Sequence, residues 1–277
     1  MPRGDARPSH DRLFTAALGS VAGVYALLIV ALLAAMAWRV EAGAVRRTLA
    51  SPEIRYAIAL SIVSATLAAL LATIVAVPAG YLLSRRRFWG KSVVESIFDV
   101  PIVLPPLVVG LALLILFRTP AGQAVEAAVA SLGIPGVRGV TFEVPAVVAA
   151  QFTVAAAFAI RAMRVAFDGL SPRGEDVART LGCSRREAFF LVVLGEARGG
   201  MLAAFTLAWA RSIGEFGPLL VFAGITRMKT ETLSGSVFLA LNVGDVAGAL
   251  SVSLVMVAVA AVALVATRAA GRSGAMT

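Results

Sequence analysis

The sequence predicts an all-α polytopic membrane protein with six transmembrane helices, and three observations lead there. The chain has 277 residues, of which 59% are hydrophobic and only 15% charged, and its mean hydropathy is +0.89. A soluble domain of that size could not bury so much apolar surface and keep a solvated exterior. Six apolar runs, at 13–38, 56–84, 97–117, 144–167, 200–224 and 245–267, each supply the stretch of about 20 residues that a bilayer requires. Lys and Arg are also unevenly shared: with the N-terminus inside, sixteen fall in the inner segments and eight in the outer ones. That asymmetry sets both termini in the cytoplasm and the chain as a multi-pass protein of the inner or plasma membrane.

The same composition excludes several functions. A net charge of +9 would point to nucleic acid in a soluble protein, but here the basic residues hold loops on the cytoplasmic side, and no nucleic-acid partner is expected. Cys183 is the only cysteine and His10 the only histidine. Intrachain disulfides, Cys-based metal sites and a Ser-His-Asp triad are therefore ruled out as expectations. No catalytic residue, metal or cofactor site is expected on this chain.

Residues 1–12 form a polar tail carrying Arg3, Arg7 and Arg12. The run 13–38 exceeds the h-region of about 7–15 residues in a signal peptide, so a retained anchor is expected, although Ala35-Met36-Ala37 has the small residues of a cleavage site. Arg39, Arg46, Arg47 and Arg55 then place positive charge on the outer face, a weak signal for an acidic partner or for anions. After the second run, Gly90-Lys91-Ser92 matches the end of a phosphate-binding loop, but Arg85 stands where that pattern needs glycine.

The third run, DVPIVLPPLVVGLALLILF, contains Pro101, Pro105 and Pro106. Each removes a backbone donor, and in lipid the freed groups need protein or a wet cavity. The run is expected either to line a pathway or to carry a packing kink. The segment 119–143 is too short for another span and is expected to hold a short helix against the bundle. Gln151, Thr153 and Thr206 are polar positions in later runs, able to offer hydrogen bonds to an oxyanion but better suited to interhelical ones. In the fifth run, Arg211 and Glu215 lie four apart, facing each other across a helical turn. They form either part of a gate or anion-sensing surface or a mutually neutralising structural pair. Candidate pathway residues are thus Pro105, Pro106, Gly110, Arg211, Glu215 and Gly217. The chain closes with the tail 268–277, and one transmembrane domain covers 13–267.

The cytoplasmic segment 168–199 breaks the apolar pattern with SPRGEDVARTLGCSRREAFFLVVLG. Ser171 and Pro172 are start signals for a helix, Glu175 and Asp176 suit its positive end, and Gly182 suits a left-handed stop. Ser184 and Glu187 have the spacing of a capping box opening a second helix, which Gly195 is expected to end. Val177, Ala178 and Leu181 share a side of the first helix, fitting a partner's groove or the membrane headgroups.

At this point the loop resembles the signature loop of ABC importer permeases: Glu-Ala-Ala, three residues, Gly, nine residues, Ile-x-Leu-Pro. The matching positions are Asp176-Val177-Ala178, Gly182, Val192, Leu194 and Gly195, with Asp for Glu beside Glu175, Val for Ala, and Gly for Pro. The stretches DVPIVLPPLVVGLALLILF, EDVARTLGCSRREAFF and WARSIGEFGPLLVFAG are similar to the permease subunits of molybdate, tungstate and sulfate importers, over roughly 55–267. The resemblance implies a type I ABC importer permease fold and a partner-binding loop of Glu175, Asp176, Val177, Ala178, Leu181, Gly182, Ser184 and Glu187. It also implies cytosolic ATPase subunits holding ATP and Mg, an external substrate-binding protein, a second permease copy or a paralogue, and a surround of membrane lipid. The chain itself is then a transport subunit and not an enzyme. The contrasting expectation is an ion-gradient-driven secondary transporter or channel, but such proteins often show midplane carboxylates or repeats, and only Glu215 lies well inside a span. A plain membrane anchor would leave the broken third run without a reason.

Overall fold

The structure is a computed structural model that describes residues 8–274. Arg3 and Arg7 of the expected N-terminal tail, and the last three residues of the expected C-terminal one, lie outside the described residues. Among the described residues every regular element is helical. In order these are α1 Pro8–Arg39, α2 Ala42–Ala50, α3 Pro52–Arg85, α4 Lys91–Val103, α5 Pro106–Arg118, α6 Pro120–Ser131 and α7 Val144–Asp168. The polar segment follows as α8 Arg173–Thr180, α9 Arg185–Ala188, a π-helical turn Phe189–Val193 and α10 Leu194–Glu196. The chain then runs through α11 Arg198–Ile213, a second π-helical turn Leu219–Ala223, α12 Leu233–Asn242 and α13 Val246–Gly274.

Four helices are long and apolar enough to cross a bilayer singly, and the number rises to six if each of two bent pairs counts as one span. The bent pairs are α4 with α5, at 112°, and Arg185–Glu196 with α11, at 69°. Local sequence explains where the helices begin. The Ser51 hydroxyl accepts from the Ile54 N–H ahead of α3, and Thr119 accepts from Gly122 ahead of α6, each followed by proline in the first turn. The 112° bend follows from Pro105 and Pro106: two successive donors are missing, and Leu104 and Pro105 are extended at ψ 138° and 133°.

The centre is built from α3, α7 and α11, which pack on one another. Their contacting faces are made of small residues. On α3, Ala68, Ala72, Ala76 and Gly80 recur every four positions and are buried. They oppose buried Ala155, Ala159 and Met163 of α7, while Ala204 and Ala208 of α11 complete the cluster. Small side chains let backbones come close where apolar burial gives little drive in lipid. A Cβ on Gly80 would lie 2.8 Å from the Met163 Cβ and 2.9 Å from the Arg164 nitrogen. By contrast α1 is apolar and exposed along its described length, and it meets the rest of the chain mainly along α13.

Several expectations need correction. The fifth run is not one helix through 200–224: α11 ends at Ile213, because Gly214 relaxes the backbone and Pro218 cannot donate. Its helix also starts earlier, since Gly195 does not stop the second loop helix. Gly195 keeps a negative φ, so it offers no left-handed cap, and the break falls at Ala197. The helices α2 and α12 occupy stretches read only as connecting segments. In the 119–143 segment the expected short helix is α6, pinned where Glu126 accepts from the Val140 N–H and, at 2.9 Å, the Thr141 N–H.

Candidate functional site

Two places on the chain combine irregular backbone with polar chemistry. The first lies where the bend between α4 and α5 crosses the break that follows α11 at 214–218. Gly217 sits against Pro106, where a Cβ would come within 2.5 Å of the proline Cβ, and Gly110 sits against Pro218, where a Cβ would fall 2.8 Å from its Cα. The break in one region is thus filled by the glycine of the other. Beside this crossing is a cavity of about 430 Å3, lined by Pro105, Pro106, Leu107, Arg211, Gly214, Glu215, Phe216, Gly217 and Leu220. Five of the six candidate pathway residues line it, and Gly110 instead forms the contact with Pro218.

The carbonyls released at the end of α11 are satisfied from neighbouring elements, as an apolar surround demands. Gln151 donates to the Ser212 carbonyl at 3.1 Å and the Ser234 hydroxyl to that of Glu215 at 2.7 Å. Gln151 therefore bonds between helices as expected, while Thr153 and Thr206 bond back to Ala149 and Leu202 of their own helices. Arg211 and Glu215 meet at 2.6 Å, although Glu215 lies past the helix end. The arginine side chain is 30% exposed and the carboxylate 2%. The Phe158 ring centroid lies 5.8 Å from the guanidinium carbon.

The second place is the loop from Asp168 to Arg198. Ser171 accepts from the Arg173 N–H at 3.3 Å, but α8 starts at Arg173, one residue later than a proline-led start would put it. After α8, Gly182 at φ +98° donates to Arg179 and Cys183 donates to Ala178, both at 3.1 Å. That is a Schellman closure, and it requires a left-handed residue. Ser184 and Glu187 form the expected capping box, with the Ser184 N–H donating to Glu187 at 2.7 Å and the Glu187 N–H to Ser184 at 3.3 Å. Hydrogen bonding from the Ser184 side chain, and then its backbone, holds the Glu187 carboxyl below the usual carboxylate range.

The expected apolar side of α8 divides. Ala178 is buried at 8% exposure, whereas Val177 at 56% and Leu181, the C-cap beyond Thr180, at 80% face outward. Of the two acids, Glu175 turns inward and accepts from the Tyr81 hydroxyl at 2.7 Å, while Asp176 is exposed. Tyr81 also packs edge-on to Phe167 and Phe189. Further ties to α3 come from Ser84 to Asp168 at 2.6 Å and from Arg85 to the Leu170 carbonyl at 2.8 Å.

Sequence reasoning missed a polar set between α4 and α7. Arg161 pairs with Asp99 at 2.9 Å and Arg164 with Glu95 at 3.0 Å, clasping α4, the first half of a bent pair, to α7. Two acids four apart and two arginines three apart at matching depths were the available signal.

Comparison with known proteins agrees with this arrangement. Residues 76–272 match the family described as "Binding-protein-dependent transport system inner membrane component". The molybdate/tungstate transport system permease protein of Pyrococcus abyssi (strain GE5 / Orsay) is 35% identical over 209 residues, covering 75% of this chain and 76% of that protein. The sulfate transport system permease protein of Salmonella typhimurium (strain LT2) is 29% identical over 210 residues, covering 75% and 73%. A chain of the bacterial alginate ABC transporter, solved in complex with an alginate pentasaccharide-bound periplasmic protein, superposes with a TM-score of 0.70. That match covers 94% of this chain and 93% of the other, and at 15% identity it speaks for the fold alone, the type I importer permease fold. A matched segment that takes in the broken helices, their cavity and the capped loop leaves one conclusion: the chain belongs to the family of binding-protein-dependent transport system inner membrane components.

Proposed function

We propose that this chain is the membrane-spanning subunit of an ATP-driven importer for a tetrahedral oxyanion, with molybdate or tungstate the first candidates and sulfate next. As a permease subunit it is not itself an enzyme. The observation that carries the reading is α8: a short helix closed by Gly182, presenting exposed Val177, Leu181 and Asp176 while Glu175 is tied inward to Tyr81. Apolar side chains so exposed on a polar loop suit a partner's groove. In this reading the loop 168–199 docks on cytosolic ATPase subunits that hold ATP and Mg, and both termini lie on the same side. Asp176 makes the partner contact, and Glu175 fastens the loop to α3. The cavity at the crossed bends is a stretch of the pathway, and an external binding protein delivers the cargo to a pair of permease copies. The cargo assignment draws on the named substrates of the relatives and on the arginine in the cavity. The ion-gradient alternative has no support from the family.

Reconstitution tests it. Vesicles holding this chain, its co-purifying ATPase and the binding protein are expected to accumulate molybdate, tungstate or sulfate only with ATP. Accumulation by the chain alone under a proton or sodium gradient would overturn the proposal.

A further inference from the structure

We propose that Arg211 is a contact for the oxyanion in transit and that Glu215 is its placeholder, occupying the guanidinium until the anion displaces it. The inference rests on the transport reading above and names the side chain that performs it.

The argument begins with asymmetry. Mutual neutralisation alone gives no reason for one member to face a cavity, yet Glu215 is buried and Arg211 is open to it. The remaining lining is apolar or backbone, from Pro105, Pro106, Leu107, Phe216 and Leu220, so Arg211 is the one cation facing that space among the described residues. Its fork offers five donors. Within the described residues its polar contact is the single one from Nη1 to Glu215, with Phe158 beneath the guanidinium. Free donors in a pocket lined mainly by apolar groups match an anion with several oxygens, and arginine binds such groups in a planar, two-point manner. Glu215 has the complementary role. Its negative charge satisfies the arginine when the cavity is empty and keeps a bound anion weakly held, since a transit site must release as readily as it fills.

The test is a double-mutant cycle in the assembled transporter, reading uptake of labelled molybdate and sulfate beside ATP hydrolysis. Arg211→Gln is expected to lower uptake at least about tenfold, the scale of one lost charge-assisted hydrogen bond, while hydrolysis continues. Glu215→Gln is expected to hold the labelled anion more tightly and, because release slows, to lower uptake at saturating anion. The double variant should remain as poor as Arg211→Gln. A structural pair behaves otherwise: either single change leaves an unpaired charge, and removing both restores function. Restoration in the double variant, or undiminished uptake by Arg211→Gln, overturns the inference and leaves the transport reading standing. If Arg211→Gln does not insert, Arg211→Lys keeps the charge and loses the fork; a drop in uptake supports the contact, and wild-type uptake overturns it. Wild-type vesicles inert toward all three oxyanions with ATP and every component present would remove the transport reading and the inference together.

Discussion

At the scale of single residues, glycines decide what this chain can do, for two distinct reasons. Gly182 has open space around it, but its φ of +98° is a conformation that β-branched side chains resist. Gly182→Val is expected to leave insertion intact and to reduce uptake per ATP hydrolysed, measured in reconstituted vesicles. Gly217 has an ordinary backbone and no room, with Pro106 within 2.5 Å of a would-be Cβ. Gly217→Ala is expected to destabilise by about 1–3 kcal/mol, the usual cost of overpacking, as a lowered midpoint of thermal unfolding in detergent. Gly195→Ala, with nothing within 4 Å, serves as the matched control and should change little. The roles of Gly182, Ser184 and Glu187 were legible in the sequence because caps are local chemistry. The tight contact at Gly217 was not, because it depends on a proline more than a hundred positions away.

At the scale of elements, the capped loop and the clasped half-helix respond to charge. The Glu187 carboxyl is held low in the folded chain, so the stability it lends is complete above its unfolded pKa of about 4.3. That stability fades as pH falls through the folded value. The protection of the amides at 185–188, measured against the intrinsic exchange rate at each pH, should therefore fall on acidification, and Ser184→Ala should flatten that dependence by removing the hydroxyl that lowers the pKa. The α4–α7 clasp is half exposed, and Asp99→Asn is expected to cost no more than about 1 kcal/mol, again read as a shift in the unfolding midpoint. Helix starts carry local signals: those at Ser171-Pro172 and Ser184 were read from the sequence, and Ser51-Pro52 and Thr119-Pro120 are of the same kind. Helix ends were harder: Gly195 looked like a stop and stayed helical, because composition permits a left-handed residue without requiring one.

At the scale of the whole molecule, apolar length announced the spans but not their shape. By apolar length alone the runs at 97–117 and 200–224 are continuous, and each is a bent pair or an interrupted helix in the folded chain. Proline marked the first break; the second shows only once Gly214, Gly217 and Pro218 are seen against α5. The cavity was likewise hidden, since Pro105 and Arg211 come together only through the crossing. That crossing has a mechanical corollary. With Gly110 lodged on Pro218 and Gly217 on Pro106, neither kink can straighten without driving atoms into the other. The two share one fulcrum, and a rotation begun at the foot of α11 must swing α5 with it, as the blades of scissors turn about a common rivet.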